Sequence, residues 1–259
     1  MKIVVCVKQV PDTASERTLD PADKTLDRAK VDGVLNELDE YAVEEALRLA
    51  EVHGGEVTAL SMGPERARET VLKALQMGAD AGVHLVDDAL HGSDAAATSL
   101  ALATALLARE WDLVILGSES TDARTSVLPA MLAERLGRPQ LTFANKVEID
   151  GETVRIHRQT EDGYQVVEGQ LPAVISVVEK INEPRYPSFK GIMAAKKKQI
   201  DALTLADLGL EAGQVGLTAS WTAVDEFATR PPRAAGTIVK DEGDGGVKLA
   251  DFLAEQKFI

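Results

Sequence analysis

A single cysteine, Cys6, stands among 259 residues. No disulfide can form within the chain, and a reducing compartment suits it. Aromatic residues make up only 4%, so Val, Leu, Ile and Ala must fill the core. The four histidines, His53, His84, His91 and His157, are scattered without metal-ligand spacing, and no metal site is expected. No apolar run approaches the ~18 residues of a membrane-crossing helix. Positive charge is scarce: 28 Lys and Arg face 42 Asp and Glu, a formal net charge of -14. That balance argues against generic nucleic-acid binding, which needs positive surface to neutralise phosphates. Neither a Walker loop nor a G-x-G-x-x-G turn follows the first strand, which argues against a Rossmann dehydrogenase. The chain opens on "MKIVVCVKQV", with neither signal-peptide nor transit-peptide character, and a cytoplasmic protein is the expectation. No catalytic set stands out, so an enzyme acting alone is not expected.

What is present is a regular alternation. Lys2–Val7 is a short β-branched run, read as a buried strand. Asn36–His53 has apolar residues at helical spacing and is stopped by Gly54 and Gly55. Glu56–Met62 is a second strand, with Pro64 suited to the first position of the helix that ends at Gly78. A third strand is expected at Val83–Val86, a helix at Ser93–Glu110 capped by Ser93, a fourth strand at Asp112–Gly117 and a helix ending near Gly137. Four such alternations predict an α/β protein with a mostly parallel, doubly wound sheet, Rossmann-like in the broad sense. After Pro139, Gly turns at Gly151 and Gly163 predict an antiparallel extension. From Pro184 the chain turns irregular, ending in an amphipathic helix near Val247–Gln256 with Leu249, Phe252 and Leu253 on its apolar stripe. The expected organisation is an α/β domain over 1–183 and an arm over 184–259, lying on another surface of this chain or of a partner.

Ligands of open parallel sheets sit beyond the carboxyl ends of the strands, where strand order reverses. Three strand ends qualify: Cys6 to Lys8, Met62 to Pro64, and Leu116 to Val127, "LGSESTDARTSV". The last is rich in hydroxyl groups and leads into a helix, which suits a phosphate. Equally, Asp122 or Thr125 is a helix cap. Asn36–Asp39 either caps its helix or faces the same crevice. A second anomaly spans Pro184 to Ile200. It has no acid, carries five bases and leaves Phe189, Ile192 and Met193 among them. It is either a packed helix with a solvated basic face or a docking patch.

Ile156–Ser176, "IHRQTEDGYQVVEGQLPAVIS", resembles the signature of the electron transfer flavoprotein beta subunit. Ile156 and Arg158 precede an acidic-glycine turn (Glu161, Asp162, Gly163), followed by Gln165, Val167, Pro172 and Val174–Ser176. "VVCVKQVPD", "DEYAVEEALRL", "MGPERARETVLKALQMGAD" and "INEPRYPSFKGIMAAKKK" extend the resemblance along the whole chain. The resemblance implies an electron-carrier subunit that pairs with an alpha subunit, shares its FAD, and binds AMP in its own sheet. It implies electron transfer from flavoprotein dehydrogenases to a quinone-linked oxidoreductase. It carries the nucleotide site onto Cys6, onto Asn36, Glu37, Leu38 and Asp39, and onto Met62. It adds the loop Gly117, Ser118, Glu119, Ser120, Thr121, Asp122, Ala123, Arg124, Thr125, Ser126, Val127 and Leu128. It also implies that Arg185, Tyr186, Phe189, Ile192, Met193, Lys196, Lys197 and Lys198 recognise partner dehydrogenases, with Phe189 where the family has an anchoring leucine. The chain departs from the family's pattern at Glu37, Glu119, Arg124 and Val127. Two alternatives stand beside this reading: a bifurcating subunit with a second FAD and NADH oxidation, or a stand-alone adenine-nucleotide-binding module.

Overall fold

The computed structural model describes residues 1–229, 231, 236 and 238–259. They form two units, Met1–Asp225 and Glu226–Ile259. The strands of the first unit are β1 (Lys2–Cys6), β2 (Gln9–Pro11), β3 (Gly33–Leu35), β4 (Glu56–Met62), β5 (Ala81–Leu85), β6 (Leu113–Gly117), β7 (Gln140–Asp150), β8 (Thr153–Thr160), β9 (Gly163–Gln170), β10 (Ala173–Val177) and β11 (Ile200–Leu203). Its helices are α1 (Glu37–His53), α2 (Arg68–Met77), α3 (Ala95–Leu107), α4 (Leu128–Leu136), α5 (Phe189–Ala195) and α6 (Gly216–Ala219).

Nine strands make one sheet in the order β11-β5-β4-β1-β6-β10-β7-β8-β9. Pairing is parallel from β11 to β7 and antiparallel across β7-β8-β9. The β-branched runs of β1, β6 and β10 are buried on both faces, as central parallel strands must be. Alternate residues of β1 serve opposite layers. Ile3 and Val5 pack with Val43, Leu47, Val71 and Leu75 of α1 and α2, while Val4 and Cys6 pack with Leu102, Leu106, Leu132 and Leu136 of α3 and α4. The sheet is therefore doubly wound.

Several local details differ from the sequence expectation. The third strand begins two residues earlier, at Ala81. Ser93 does not cap α3: Asp94 does, accepting from the Ala97 N–H at 3.0 Å. Pro64 precedes a 3-10 turn, Glu65–Ala67, rather than opening the helix. The polar loop after β1 contains a ribbon, β2 pairing antiparallel with β3. The segment beyond Pro184 also returns to the body, because β11 extends the sheet parallel to β5. Backbone pairing at an open edge does not need a strong apolar pattern, which is why the short run "IDAL" passed as irregular. The second unit contains α7 (Gly245–Glu255), on which Val247, Leu249 and Phe252 are exposed. No helix among the described residues is long and apolar enough to cross a membrane.

Candidate functional site

The chain runs from β1 outward through β4 to β5, then returns to the other side of β1 as β6. Strand order thus reverses between β1 and β6, and the crevice beyond their carboxyl ends is the preferred ligand position in such sheets. Lys8 follows β1 there, and the loop 118–127 follows β6.

Asp39, buried in the first turn of α1, ties the two strand ends together. Its carboxylate accepts from the Lys8 N–H at 2.8 Å and the Gly117 N–H at 3.2 Å. Burial pushes its carboxyl up to about 7, against those two hydrogen bonds. Gly117 is required by closeness: a Cβ there would lie 2.6 Å from Asp39 Oδ1 and 2.8 Å from the Leu38 carbonyl carbon. Asn36 makes no side-chain cap on α1. Instead its amide reaches across to the loop, donating to the Glu119 carbonyl at 3.0 Å and accepting from the Thr121 N–H at 3.0 Å. Fully buried, Asn36 fastens the loop to the start of α1 rather than capping the helix.

Asp122 likewise caps nothing, and neither does Thr125, because α4 starts only at Leu128, without a side-chain cap. The Asp122 carboxylate is 2% exposed and accepts from Lys8 Nζ at 2.7 Å and from an Arg28 Nη at 2.8 Å. Burial disfavours its charge, but Lys8 and Arg28 outweigh burial and hold the carboxyl at about 2. Lys8 Nζ also donates to Ser120 Oγ at 3.2 Å. Burial draws the Lys8 ammonium below its usual value, opposed chiefly by Asp122. Arg17 donates to the Thr121 carbonyl at 2.7 Å. Arg17 and Arg28 are not among the residues the sequence points to, and Lys8 enters there only as the last residue of the first strand end. Arg17 and Arg28 lie in the long polar loop after β1, where spacing carries no signal, whereas the position of Lys8 at a strand end was a usable one.

Of the remaining expected residues, Cys6 is a buried member of the α3–α4 layer, and burial pushes its thiol up to about 12. It is a packing residue with no free thiolate. Met62 is half-buried at the end of β4 and packs on the same layer. Ser118 is buried, its N–H donating to the Val177 carbonyl at 2.9 Å. Ala123, Arg124, Thr125 and Val127 are exposed. Ser126 Oγ donates to Glu119 Oε2 at 2.9 Å. Glu37 and Thr121 line a shallow cleft of about 240 Å³ together with Asp12, Thr13 and Glu40.

The donor set fits a phosphorylated ligand. Thr121 Oγ1 is buried without a hydrogen-bond partner. Arg124 and Ser126 hold left-handed backbone, φ 51° and 55°, a conformation used in anion-binding turns. α4 begins immediately afterwards, with Pro129 leaving one fewer N–H in its first turn. Two cations, Lys8 and Arg28, meet one carboxylate at Asp122.

The second expected surface lies on α5. Ser188 caps it, accepting from the Gly191 N–H at 3.0 Å. Phe189 is 81% exposed and Tyr186 92%, Met193 is also exposed, and Ile192 is half-buried. Phe189 thus points outward. Lys196 and Lys197 face solvent. Arg185 and Lys198 do not stand free: Arg185 pairs with Glu44 and Glu51, and Lys198 Nζ donates to the carbonyls of Gly78 and Ala79. Among the described residues, no group of three His, Cys, Asp or Glu side chains could hold a metal ion.

Comparison with known proteins shows the family. The electron transfer flavoprotein domain matches residues 23–208. The electron transfer flavoprotein subunit beta of Mycobacterium tuberculosis is 52% identical over 263 residues, covering 99% of both chains. That of Clostridium acetobutylicum is 38% identical over 260 residues, covering 100% of both. The caffeyl-CoA reductase-Etf complex subunit CarD of Acetobacterium woodii is 38% identical over 241 residues, covering 92% of each.

Proposed function

Because the chain belongs to the electron transfer flavoprotein family as a beta subunit, we propose that it forms a heterodimer with an alpha subunit and carries electrons. The pair takes them from flavoprotein dehydrogenases, such as acyl-CoA dehydrogenases, and delivers them to a quinone-linked oxidoreductase. FAD held with the alpha subunit supplies the redox chemistry, and the protein supplies position and electrostatics.

This chain's own crevice holds AMP. The observation that carries the reading is the loop after β6 at the β1–β6 reversal, where Lys8 and Arg28 meet Asp122, the adjacent Thr121 hydroxyl has no hydrogen-bond partner, and Arg124 and Ser126 take left-handed backbone. A terminal monophosphate suits such a set: nearby cations, a hydroxyl donor and a helix N-terminus. Asn36 and Asp39 hold the loop against α1, so the donors are fixed before the ligand arrives. Phe189 and Met193 present an apolar anchor to the dehydrogenase, and Lys196 and Lys197 steer toward an acidic rim. The exposed apolar residues of α7, with Phe258 and Ile259, suit burial against the alpha subunit.

A second reading is a bifurcating subunit, with a second FAD in this crevice and NADH oxidation. The similarity to a subunit of a caffeyl-CoA reductase-Etf complex favours it. One experiment separates the two. The co-expressed heterodimer is gently denatured and the released small molecules are counted by mass. One FAD and one AMP per heterodimer are expected. Two FAD would select the bifurcating reading, and a colourless chain that assembles without an alpha subunit would defeat both.

A further inference from the structure

We propose that Arg185 and Lys198 are positioning residues that pin the two ends of the α5 segment to α1 and α2, so that the Phe189 face is ordered before any partner arrives. The inference rests on the reading of this segment as the dehydrogenase dock.

A seven-residue helix has no stability of its own in water. In α5 only Ala195 is buried, while Phe189 and Met193 lie open. Something other than its own core must hold it. At its entry, Arg185 forks onto two carboxylates of α1. Nε and one Nη donate to Glu44 at 2.7 and 3.0 Å, and the other Nη donates to Glu51 at 2.6 Å. The Arg185 N–H donates to Glu44 as well, at 3.1 Å. The forked geometry is one that lysine cannot reproduce. Just before it, the Asn182 amide donates to the Tyr41 carbonyl and to Glu45, both at 3.1 Å. At the exit, Lys198 Nζ sits on the carbonyls of Gly78 and Ala79, at 3.3 and 2.5 Å, where α2 ends. A cation is favoured at that pole of a helix. Between the two pins the backbone of α5 lies so close to α2 that a Cβ on Gly191 would stand 2.5 Å from the Gln76 carbonyl oxygen.

The basic run thus divides by role. Arg185 and Lys198 face inward and hold, while Lys190, Lys196 and Lys197 face solvent. Ordering the anchor in the free subunit removes that cost from the docking step.

The test uses the heterodimer with Arg185→Gln, Arg185→Lys and Lys198→Met, and with Lys196→Met and Phe189→Ala as references. Hydrogen exchange over residues 184–199 is expected to quicken about tenfold in Arg185→Gln and Lys198→Met. It should quicken less in Arg185→Lys and stay unchanged in both references. With an acyl-CoA dehydrogenase reduced by its substrate as electron donor, KM for the heterodimer should rise severalfold in the pin variants while kcat and flavin content hold. Unchanged exchange would overturn the pinning. Faster exchange with unchanged KM, where Phe189→Ala raises KM, would overturn pre-ordering as its purpose. If Phe189→Ala also left KM unchanged, the docking reading itself would fall, and pinning would stand or fall on exchange alone. Should Arg185→Gln fail to fold, Glu51→Gln removes only the exposed half of the fork and should give the intermediate exchange rate.

Discussion

Two aspartates in the crevice are driven in opposite directions. Burial pushes Asp39 up to about 7, whereas Lys8 and Arg28 outweigh burial and hold Asp122 at about 2. Linkage turns each into a pH dependence of stability. With its folded value above the ordinary 3.8, Asp39 lets the folded chain bind more protons than the unfolded one. Its contribution therefore falls as pH rises from about 4 to about 7 and is flat above. Asp122 behaves inversely, contributing fully above its ordinary 3.8 and losing that contribution as pH falls toward about 2. Urea midpoints measured from pH 4.5 to 8 should show a flatter profile in Asp39→Asn than in the parent. Asp122→Asn should lower stability at pH 7 by roughly 1–3 kcal/mol, because Lys8 and Arg28 lose their common acceptor. Equal midpoints at pH 7 would mean that the pair contributes nothing. Gly117→Ala should also destabilise the fold, by about 1–3 kcal/mol, since its Cβ would enter Asp39 and the Leu38 backbone. Thermal unfolding of the purified variant checks it.

Elements were legible to different degrees, for physical reasons. Buried strands such as β1 and β6 announce themselves because burial on both faces demands continuous apolar runs. The Gly turns at 151 and 163 were equally plain, since Gly151 (φ 59°) and Gly163 (φ 148°) take backbone that other residues avoid. Edge and ribbon strands were not. β11, β2 and β3 are three or four residues long and are defined by the neighbour they pair with. Helix caps were misassigned where two candidates adjoined. Ser93 and Asp94 both qualify; Asp94 takes the Ala97 N–H, while Ser93 Oγ accepts from the distant Gly216 N–H at 2.8 Å. At this scale the loop before α4 is the element to perturb. Ser126→Pro would remove one backbone N–H and forbid the left-handed φ of 55°. AMP per heterodimer, measured by mass after denaturation, should fall well below one while FAD stays at one. Full AMP occupancy would move the phosphate elsewhere.

For the whole molecule, charge and the arm decide the predictions. A chain of net charge -14 repels acidic partners, so the exposed Lys190, Lys196 and Lys197 act against the general field. Reversing Lys196 and Lys197 to Glu should slow association with a dehydrogenase severalfold at low salt, and the difference should shrink as salt screens it. Stopped-flow rates at two ionic strengths provide the measurement, and a salt-independent difference would point to lost packing instead. Removing 226–259 should leave the Met1–Asp225 unit folded, because its sheet and three buried clusters lie within that range. Co-purification with the alpha subunit should be lost, and retention would assign the arm no part in assembly.

The sequence by itself determined the layered α/β architecture, the antiparallel extension and the strand ends that border the crevice of such a sheet. Each of these is written in local periodicity or in glycine placement, which neighbours along the chain are enough to enforce. Only the tertiary structure decided what the charged residues do. Arg28 and Asp122 are 94 positions apart, and Arg185 and Glu44 are 141 apart. A base reads the same in sequence whether it is solvated, steering or buried in an ion pair. Its role depends on which carboxylate or carbonyl the fold brings beside it, and on how much water is left between them.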